Sequence, residues 1–364
     1  MKRRVFMKGA ATAGVAGAAV AASTFSTPAI AKGKQKWIGV NTFGKAGLLG
    51  RAFDAFAKFV GEASEDRLSI KVYHAGELVK PFETFDAVQE GTAQIGLGAP
   101  YYWTGKSNAI QFVAGMPFGL NAQEQNGWLY QAGGLDMCNK VYNELGLQFL
   151  PCGNTGNQMG GWYNKEINTA ADLYGLKFRM PGLGGEILKT FGVNVILLPG
   201  TEVLAALTSG AIDGTEWIGP VADRGKGLYK VAKYYYYPGW HEPATVLDCF
   251  INKKAFDGLD NSLRTIVEHA AAKTNLMLLS QFQALNNAAM DALINKEGVQ
   301  LKTYSDELLQ AIGKRATEVL PAIASKDKMS QELYDHLIAY RKTSVNWARL
   351  SEGAFIKARE YADL

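Results

Sequence analysis

Cysteine is nearly absent from this chain: Cys138, Cys152 and Cys249 are the three among 364 residues, and no C-x-x-C spacing occurs. That excludes a disulfide scaffold and a thiolate metal centre; at most one bridge is expected, with Cys138 and Cys152 as the pair. Long apolar runs are missing as well. Beyond the first 31 residues, stretches such as Leu276 to Leu279 fall far short of the ~20 apolar residues that cross a bilayer. The four histidines, His74, His241, His269 and His336, are scattered and read as surface or packing residues; His241 alone has an unusual neighbourhood. Also lacking are G-x-S-x-G, H-E-x-x-H, a P-loop and a G-x-G-x-x-G placed after a strand. The common hydrolase, metalloprotease and nucleotide-binding signatures are therefore absent, since GLGG at 182–185 lacks the rest of the dinucleotide pattern.

Excess charge of one sign is missing once the N-terminus is set aside. The first 31 residues hold four basic groups (Lys2, Arg3, Arg4, Lys8) and no acidic ones, so 34 basic groups face 34 acidic groups in the remainder. No basic stripe argues for a nucleic-acid partner. Those 31 residues have a charged start, an Ala/Gly-rich apolar stretch and an A-x-A end at Ala29, Ile30 and Ala31, which is the layout of an export signal. Arg3 and Arg4, followed by Phe6 and Lys8, resemble the twin-arginine type, although Lys2 and Met7 depart from its usual residues.

What is present is an alternation. From Trp37 to Gly98, WIGV, LLGRAFDAFAKFVGEAS, LSIKVYH, FETFDAVQEG and AQIGLG read as strand, helix, strand, helix, strand, which predicts βαβ units and a largely parallel sheet. A second α/β section follows LQFLPCGN: the strands GGWYN, LKFRM and VNVILLP, helices over GEILKTFG and 202–209, and AIDG as a strand ending at Gly214. Thr201 is the expected N-cap and Gly210 the exit residue of the 202–209 helix. Two such sections joined near 150–156 imply an α/β protein of two lobes with a cleft. Residues 261–296 contain no proline or glycine and keep helical spacing, giving a helix of roughly 50 Å that can bridge both lobes. Further helices are expected over 305–323 and 330–361.

Chemistry-bearing residues collect where strands of the second section end. In LKFRMP, alternation separates Arg179 from Leu176, Phe178 and Met180, and Pro181 ends the strand. Arg179 thus lies at a carboxyl-terminal sheet edge, where open α/β sheets bind ligands and where a guanidinium can grip a carboxylate through two hydrogen bonds. A salt bridge at the lobe surface is its competing reading. Glu216 and Trp217 follow Gly214 at the same kind of edge; a core tryptophan beside a solvated glutamate is the plain alternative. Glu242, in YYYYPGWHEPA, and Gln158, in GNTGNQMGGW, would add oxygen donors of the sort hard cations prefer, if the fold brings them together.

The segments LYGLKFRMPG, PGTEVLAALTSGAIDGTEW and HAGELVKPFETFDAVQEGTAQIGLG resemble the extracytoplasmic solute-binding proteins of the TRAP transporter family, with GNTGNQ, DGTEW and WHEP similar to the subgroup that binds 2-oxo acids together with a metal ion. The resemblance implies a two-lobe periplasmic-binding-protein-like fold: lobe I over 32–155 completed by about 246–275, lobe II over 156–245 completed by the C-terminal helices, a lobe-spanning helix at 261–296 and a helical region at 297–364. It implies that Arg179 binds the carboxylate, that Gln158, Glu216, the Trp217 carbonyl and Glu242 hold the metal, and that Gln158, Glu216 and the Trp217 ring also border the solute. Tyr101 or Tyr102 closes over the ligand from the first lobe. One guanidinium, two glutamates and a monocarboxylate sum to minus two in a desolvated cleft, which sodium, the favoured ion, reduces to minus one and calcium to zero.

The implied function is periplasmic capture of a pyruvate-like 2-oxo monocarboxylate, without catalysis, for delivery to TRAP membrane permease subunits by a monomer or a helix-mediated homodimer. Lactate-like 2-hydroxy acids and dicarboxylates are the alternative solutes; a dicarboxylate requires a second cationic residue that the sequence does not locate. A hydrolase using Glu216 and Glu242 as an acid and base pair is the remote alternative.

Overall fold

A computed structural model describes residues 33–362; the export signal expected over 1–31 lies outside the described residues. In chain order the first section comprises β1 (Gln35–Asn41), α1 (Leu48–Ala63), β2 (Leu68–Tyr73), α2 (Thr84–Gln89), β3 (Ile95–Gly98), α3 (Ile110–Ala114), α4 (Ala122–Gln131), α5 (Gly134–Glu144) and β4 (Leu147–Asn154). The second comprises β5 (Gly161–Tyr163), β6 (Lys177–Arg179), α6 (Gly182–Lys189), β7 (Asn194–Ile196), α7 (Val203–Ser209), β8 (Gly214–Thr215), α8 (Pro220–Lys226) and β9 (Tyr234–Tyr237). The chain then crosses back through β10 (Val246–Asn252), α9 (Lys253–Asp257) and α10 (Asn261–Asn295), and ends with β11 (Gln300–Thr303), α11 (Asp306–Ala324), α12 (Lys328–Leu350) and α13 (Glu352–Ala358).

Each section has its own sheet, in the orders β2-β1-β3-β10-β4 and β11-β9-β5-β8-β6-β7. The parallel βαβ units predicted from Trp37 to Gly98 are present, since β1 runs parallel to β2 and β3. The sheets as wholes are mixed rather than largely parallel. β10 inserts antiparallel between β3 and β4, and β5 lies antiparallel between β8 and β9. β10 meets β3 and β4 only after the whole second section has intervened, so its direction is set by where the chain re-enters the first sheet and not by a local connection.

The first sheet packs Phe53 and Phe56 of α1 and Phe85 of α2 into a core with Phe250 of β10, all buried. α10 touches α1, β4 and α8, so one helix of 35 residues contacts both sections. Asn286 of α10 accepts from Val221 N at 3.1 Å, tying it to α8. Three local expectations change. Thr201 does not cap α7, whose N-cap is Glu202 without a side-chain bond, while Gly210 does close the helix in a left-handed conformation. β8 is a two-residue strand beginning at Gly214, so Thr215 belongs to it and Glu216 is the first residue beyond. The helix expected over 330–361 breaks at Ser351, whose backbone leaves the helical region, and α13 buries no residue. The three cysteines are free and buried. No described helix is long and apolar enough to cross a membrane.

Candidate functional site

Backbone pairing brings four distant segments to one point. β6 ends at Arg179, and β8 runs parallel to it with Thr215 opposite Arg179, so Glu216 emerges alongside and its N–H donates to the Arg179 carbonyl at 3.2 Å. The loop before β5 joins next, with Met159 N donating to Ile218 O at 2.9 Å. That loop also holds the WHEP turn: Gln158 N donates to Glu242 O at 3.3 Å, and Gly239 N to Gln158 O at 3.1 Å. A Cβ on residue 239 would overlap the Gln158 carbonyl, so this close approach requires glycine.

Arg179 is 1% exposed, and its guanidinium donates to Glu216 Oε1 through Nη1, to the Leu198 carbonyl through Nε at 3.1 Å and to the Tyr102 hydroxyl through Nη2 at 3.3 Å. Of its five N–H groups, two remain for a ligand carboxylate. Glu242 Oε2 accepts from Gln158 Nε2 at 2.7 Å, from Thr245 Oγ1 and from the Tyr101 hydroxyl at 3.4 Å. Gln158 Nε2 also lies 3.1 Å from Thr155 Oγ1 and 3.2 Å from Thr245 Oγ1. With its nitrogen so held, the amide presents its oxygen as the free end. The Trp217 ring centroid lies 5.3 Å from the Arg179 guanidinium carbon and 4.0 Å from Lys226 Nζ.

Buried polar atoms are normally hydrogen-bonded, and here a cluster of them is not. Gln158 Oε1, Glu216 Oε2 and both ring nitrogens of His241 are buried without a hydrogen-bonding partner in the protein. Glu216, His241 and Glu242 each offer an atom within 4.8 Å of the others, and His241 Nε2 stands 3.6 Å from Glu216 Oε2. Burial raises the Glu216 carboxyl to about 7 against the opposing pull of Arg179, and burial with the neighbouring Glu216 charge raises Glu242 to about 7. Desolvation lowers His241 to about 4, so its imidazole is neutral at pH 7 and keeps a lone pair. Oxygen donors, one imidazole and net negative charge suit a cation, and the guanidinium beside them suits a carboxylate.

The structure thus brings Gln158, Arg179, Glu216, Trp217 and Glu242 together, with Tyr101 on Glu242 and Tyr102 on Arg179. Arg179 is in the interior, not in a surface salt bridge, and Glu216 is 1% exposed, not solvated. His241 departs from its expected role as a surface or packing group: it faces Glu216 with neither nitrogen bonded. Its one signal in the sequence is adjacency to Glu242. Lys226, over the Trp217 ring, was not anticipated.

The family described as bacterial extracellular solute-binding protein, family 7, matches residues 42–327. A monocarboxylate 2-oxoacid-binding periplasmic protein of Nostoc sp. is 41% identical over 356 residues, covering 97% of each chain. Two solved TRAP periplasmic solute-binding proteins superpose with TM-scores of 0.86 at 36% identity, each match covering 89% of this chain and 99% of the other. The one from Pseudoalteromonas atlantica holds sodium and pyruvate, and the one from Colwellia psychrerythraea holds calcium and pyruvate.

Proposed function

The chain belongs to family 7 of the bacterial extracellular solute-binding proteins, and from that premise we propose that it captures a small 2-oxo monocarboxylate of the pyruvate type in the periplasm and passes it to a TRAP membrane permease. The observation that carries this reading is the set of unpartnered buried atoms, Gln158 Oε1, Glu216 Oε2 and the His241 nitrogens, set beside a guanidinium with N–H groups to spare. Structural ion pairs do not leave such atoms facing one another.

In this reading Arg179 binds the solute carboxylate, and Leu198 and Tyr102 keep its guanidinium plane fixed. Gln158, Glu216, Glu242 and the Trp217 carbonyl would hold a sodium or calcium ion, which supplies positive charge to a site that carries net minus two with a monocarboxylate bound. Thr245 and Tyr101 orient Glu242, and the Trp217 ring forms an apolar wall. Closure of the two lobes, taken as 32–155 with 246–275 and 156–245 with the C-terminal helices, excludes water and strengthens each of these contacts. Export by the twin-arginine route and the monomer or helix-paired dimer belong to the same proposal.

The test is calorimetry on protein dialysed against chelator, titrated with pyruvate alone and again with sodium or calcium restored. Pyruvate binding should collapse without the ion and return with it; equal affinity in all three conditions would overturn the metal-assisted mechanism. Absence of turnover of pyruvate, lactate and a glycoside panel would separate capture from hydrolysis.

A further inference from the structure

A cleft of about 500 Å³ adjoins the far side of this site. Its walls come from the stretch Phe43–Leu49 and Arg51, running into α1, from Gly200 and Thr201, from Trp217, Ile218 and the face of α8 that carries Val221, Ala222 and Lys226, and from Phe282 of α10. This volume falls in the range of organic-ligand pockets and far exceeds what a three-carbon acid fills. The lining contains three cations, Lys45, Arg51 and Lys226, and no acidic side chain.

None of the three makes an ion pair among the described residues. Lys45 and Arg51 are exposed, and Arg51 donates to the Ala46 carbonyl at 2.5 Å. Lys226 is half-buried, donates to the Gly200 carbonyl at 2.6 Å and lies 4.0 Å over the Trp217 ring. Gly200 also fits this wall tightly, since a Cβ there would overlap the Trp217 indole. Trp217 is therefore fixed against both the buried centre and the cleft. Unpaired cations around an apolar floor are a complement to an organic anion rather than to a polar solute.

We propose that this cleft is a second carboxylate-binding subsite, in which an aliphatic chain lies on Trp217 and Phe282 and its carboxylate meets Lys45, Arg51 and Lys226. Two sources share this chemistry: a separate aliphatic acid, or the far end of a 2-oxo dicarboxylate whose oxo-acid head is held at Arg179. The second source rests on the function proposed above; the first does not. It also supplies the second cationic group that a dicarboxylate needs and that the sequence did not locate.

The experiment uses calorimetry on the full mature chain. Protein saturated with calcium and pyruvate is titrated with hexanoate, and calcium-loaded protein is titrated in parallel with pyruvate or 2-oxoadipate. The same titrations are run on Lys226→Gln and on the exposed double variant Lys45→Gln/Arg51→Gln. The expected result is one equivalent of hexanoate, weakened at least tenfold in both variants and by raised salt, with pyruvate affinity unchanged in the double variant. Silent hexanoate together with 2-oxoadipate weakened tenfold in the variants would support the subsite and assign it to the far end of one ligand. If neither acid shifts by more than twofold in the variants, the subsite is overturned. Loss of pyruvate binding by the unaltered protein would overturn the function proposed above, and the hexanoate arm would still decide the cleft.

Discussion

Two kinds of buried carboxylate occur in this fold, and their surroundings differ. Asp223, at 1% exposure, accepts from Ile218 N and Gly219 N at 3.0 Å each through Oδ1, and from Trp162 Nε1 at 2.9 Å and the Tyr235 hydroxyl at 2.8 Å through Oδ2. Trp162 and Tyr235 stack at 4.0 Å and close the pocket around it. Glu216, seven residues earlier, has one oxygen on Arg179 and the other without a partner, and Glu242 and His241 face it. A carboxylate whose lone pairs are all taken by the protein holds a turn in place. One whose free oxygen faces other unpartnered polar atoms, as Glu216 faces His241, is built for something that arrives later. Asp223 secures the backbone immediately after Trp217, so the satisfied carboxylate positions the unsatisfied ones.

Substitutions should separate the two groups, beginning with the largest effect. Arg179→Ala removes the guanidinium that pairs with the solute carboxylate, and truncating a buried hydrogen-bonded charge partner costs roughly 2–5 kcal/mol. Pyruvate affinity measured by calorimetry should fall at least about 30-fold, with the circular dichroism of the fold retained; wild-type affinity would remove Arg179 from the site. Glu242→Gln and Asp223→Asn then form a crossed pair. The glutamine keeps an oxygen for Gln158, Thr245 and Tyr101 but loses the charge a cation needs. Since orienting groups around a metal are worth about 10- to 100-fold, a direct donor should cost calcium affinity at least that much, with thermal stability unchanged or raised. Asp223→Asn should do the reverse. Its amide nitrogen must confront either the two backbone N–H groups or the Trp162 indole N–H, at a cost of about 2–3 kcal/mol and several degrees of melting temperature. Calcium affinity of the folded fraction should move less than tenfold. If both variants lose affinity and stability alike, the distinction between the carboxylates fails.

Much of the frame around them was legible in the sequence, for local reasons. The βαβ run from Trp37 to Gly98 and the uninterrupted 261–295 helix follow from periodicity and from where glycine and proline stop, and Arg179 at a strand end follows from alternation before Pro181. Long-range partners decided the rest. The antiparallel insertion of β10 depends on where the chain re-enters the first sheet, roughly a hundred residues after β4 left it. The two-residue β8 is a strand only because β5 and β6 flank it. The break at Ser351 is a local change of backbone that helical spacing does not report. Gln158, Glu216 and Glu242 were recognisable one by one, but their convergence rests on backbone bonds between the Gln158 loop and the turns at Ile218 and Gly239. Burial of His241 and the seat of Lys226 on Trp217 are consequences of that same convergence.

His241 offers a finer test, since it belongs to the unsatisfied group without carrying charge at neutral pH. Asparagine removes the ring while retaining one donor and one acceptor on a shorter reach. His241→Asn should weaken pyruvate binding about tenfold, or about 1.4 kcal/mol, and leave calcium binding within a fewfold. If the histidine instead only fills space, His241→Leu would bind pyruvate as the wild type does, and its neutrality would then be a packing matter.

The smallest effect is in the pH dependence of the ion-free protein. Glu216, Glu242 and Asp248 are each raised to about 7 by burial, and Asp223 to about 6. A carboxyl whose folded value lies above its ordinary one keeps a proton that the unfolded chain has already lost. Its contribution to stability is complete below about 4.5 for the glutamates, and a little lower for the aspartates, and is lost as pH rises through the folded value. His241, lowered to about 4, works in the opposite direction, but only up to its ordinary value of 6.5. Above that point it is neutral in both states, Arg179 stays charged, Tyr101 and Tyr102 are held protonated by burial, and Lys226, lowered to about 8 by burial, opposes the carboxyls only at the top of the window. Between pH 6.5 and 8 the melting temperature of chelator-treated protein should therefore fall, by an amount corresponding to about 1 kcal/mol or less for each carboxyl. Only ionised carboxylates ligate a cation, so saturating calcium should remove the share due to Glu216 and Glu242 and leave that of Asp248, whose Oδ2 is held by Trp103 and Tyr142 outside the site. Glu242→Gln should flatten the same slope without calcium. A slope indifferent to both would mean that the carboxylates of the site titrate no differently from Asp248, whose Oδ1 is also unpartnered but lies outside the cluster, and the contrast would lose its electrostatic basis.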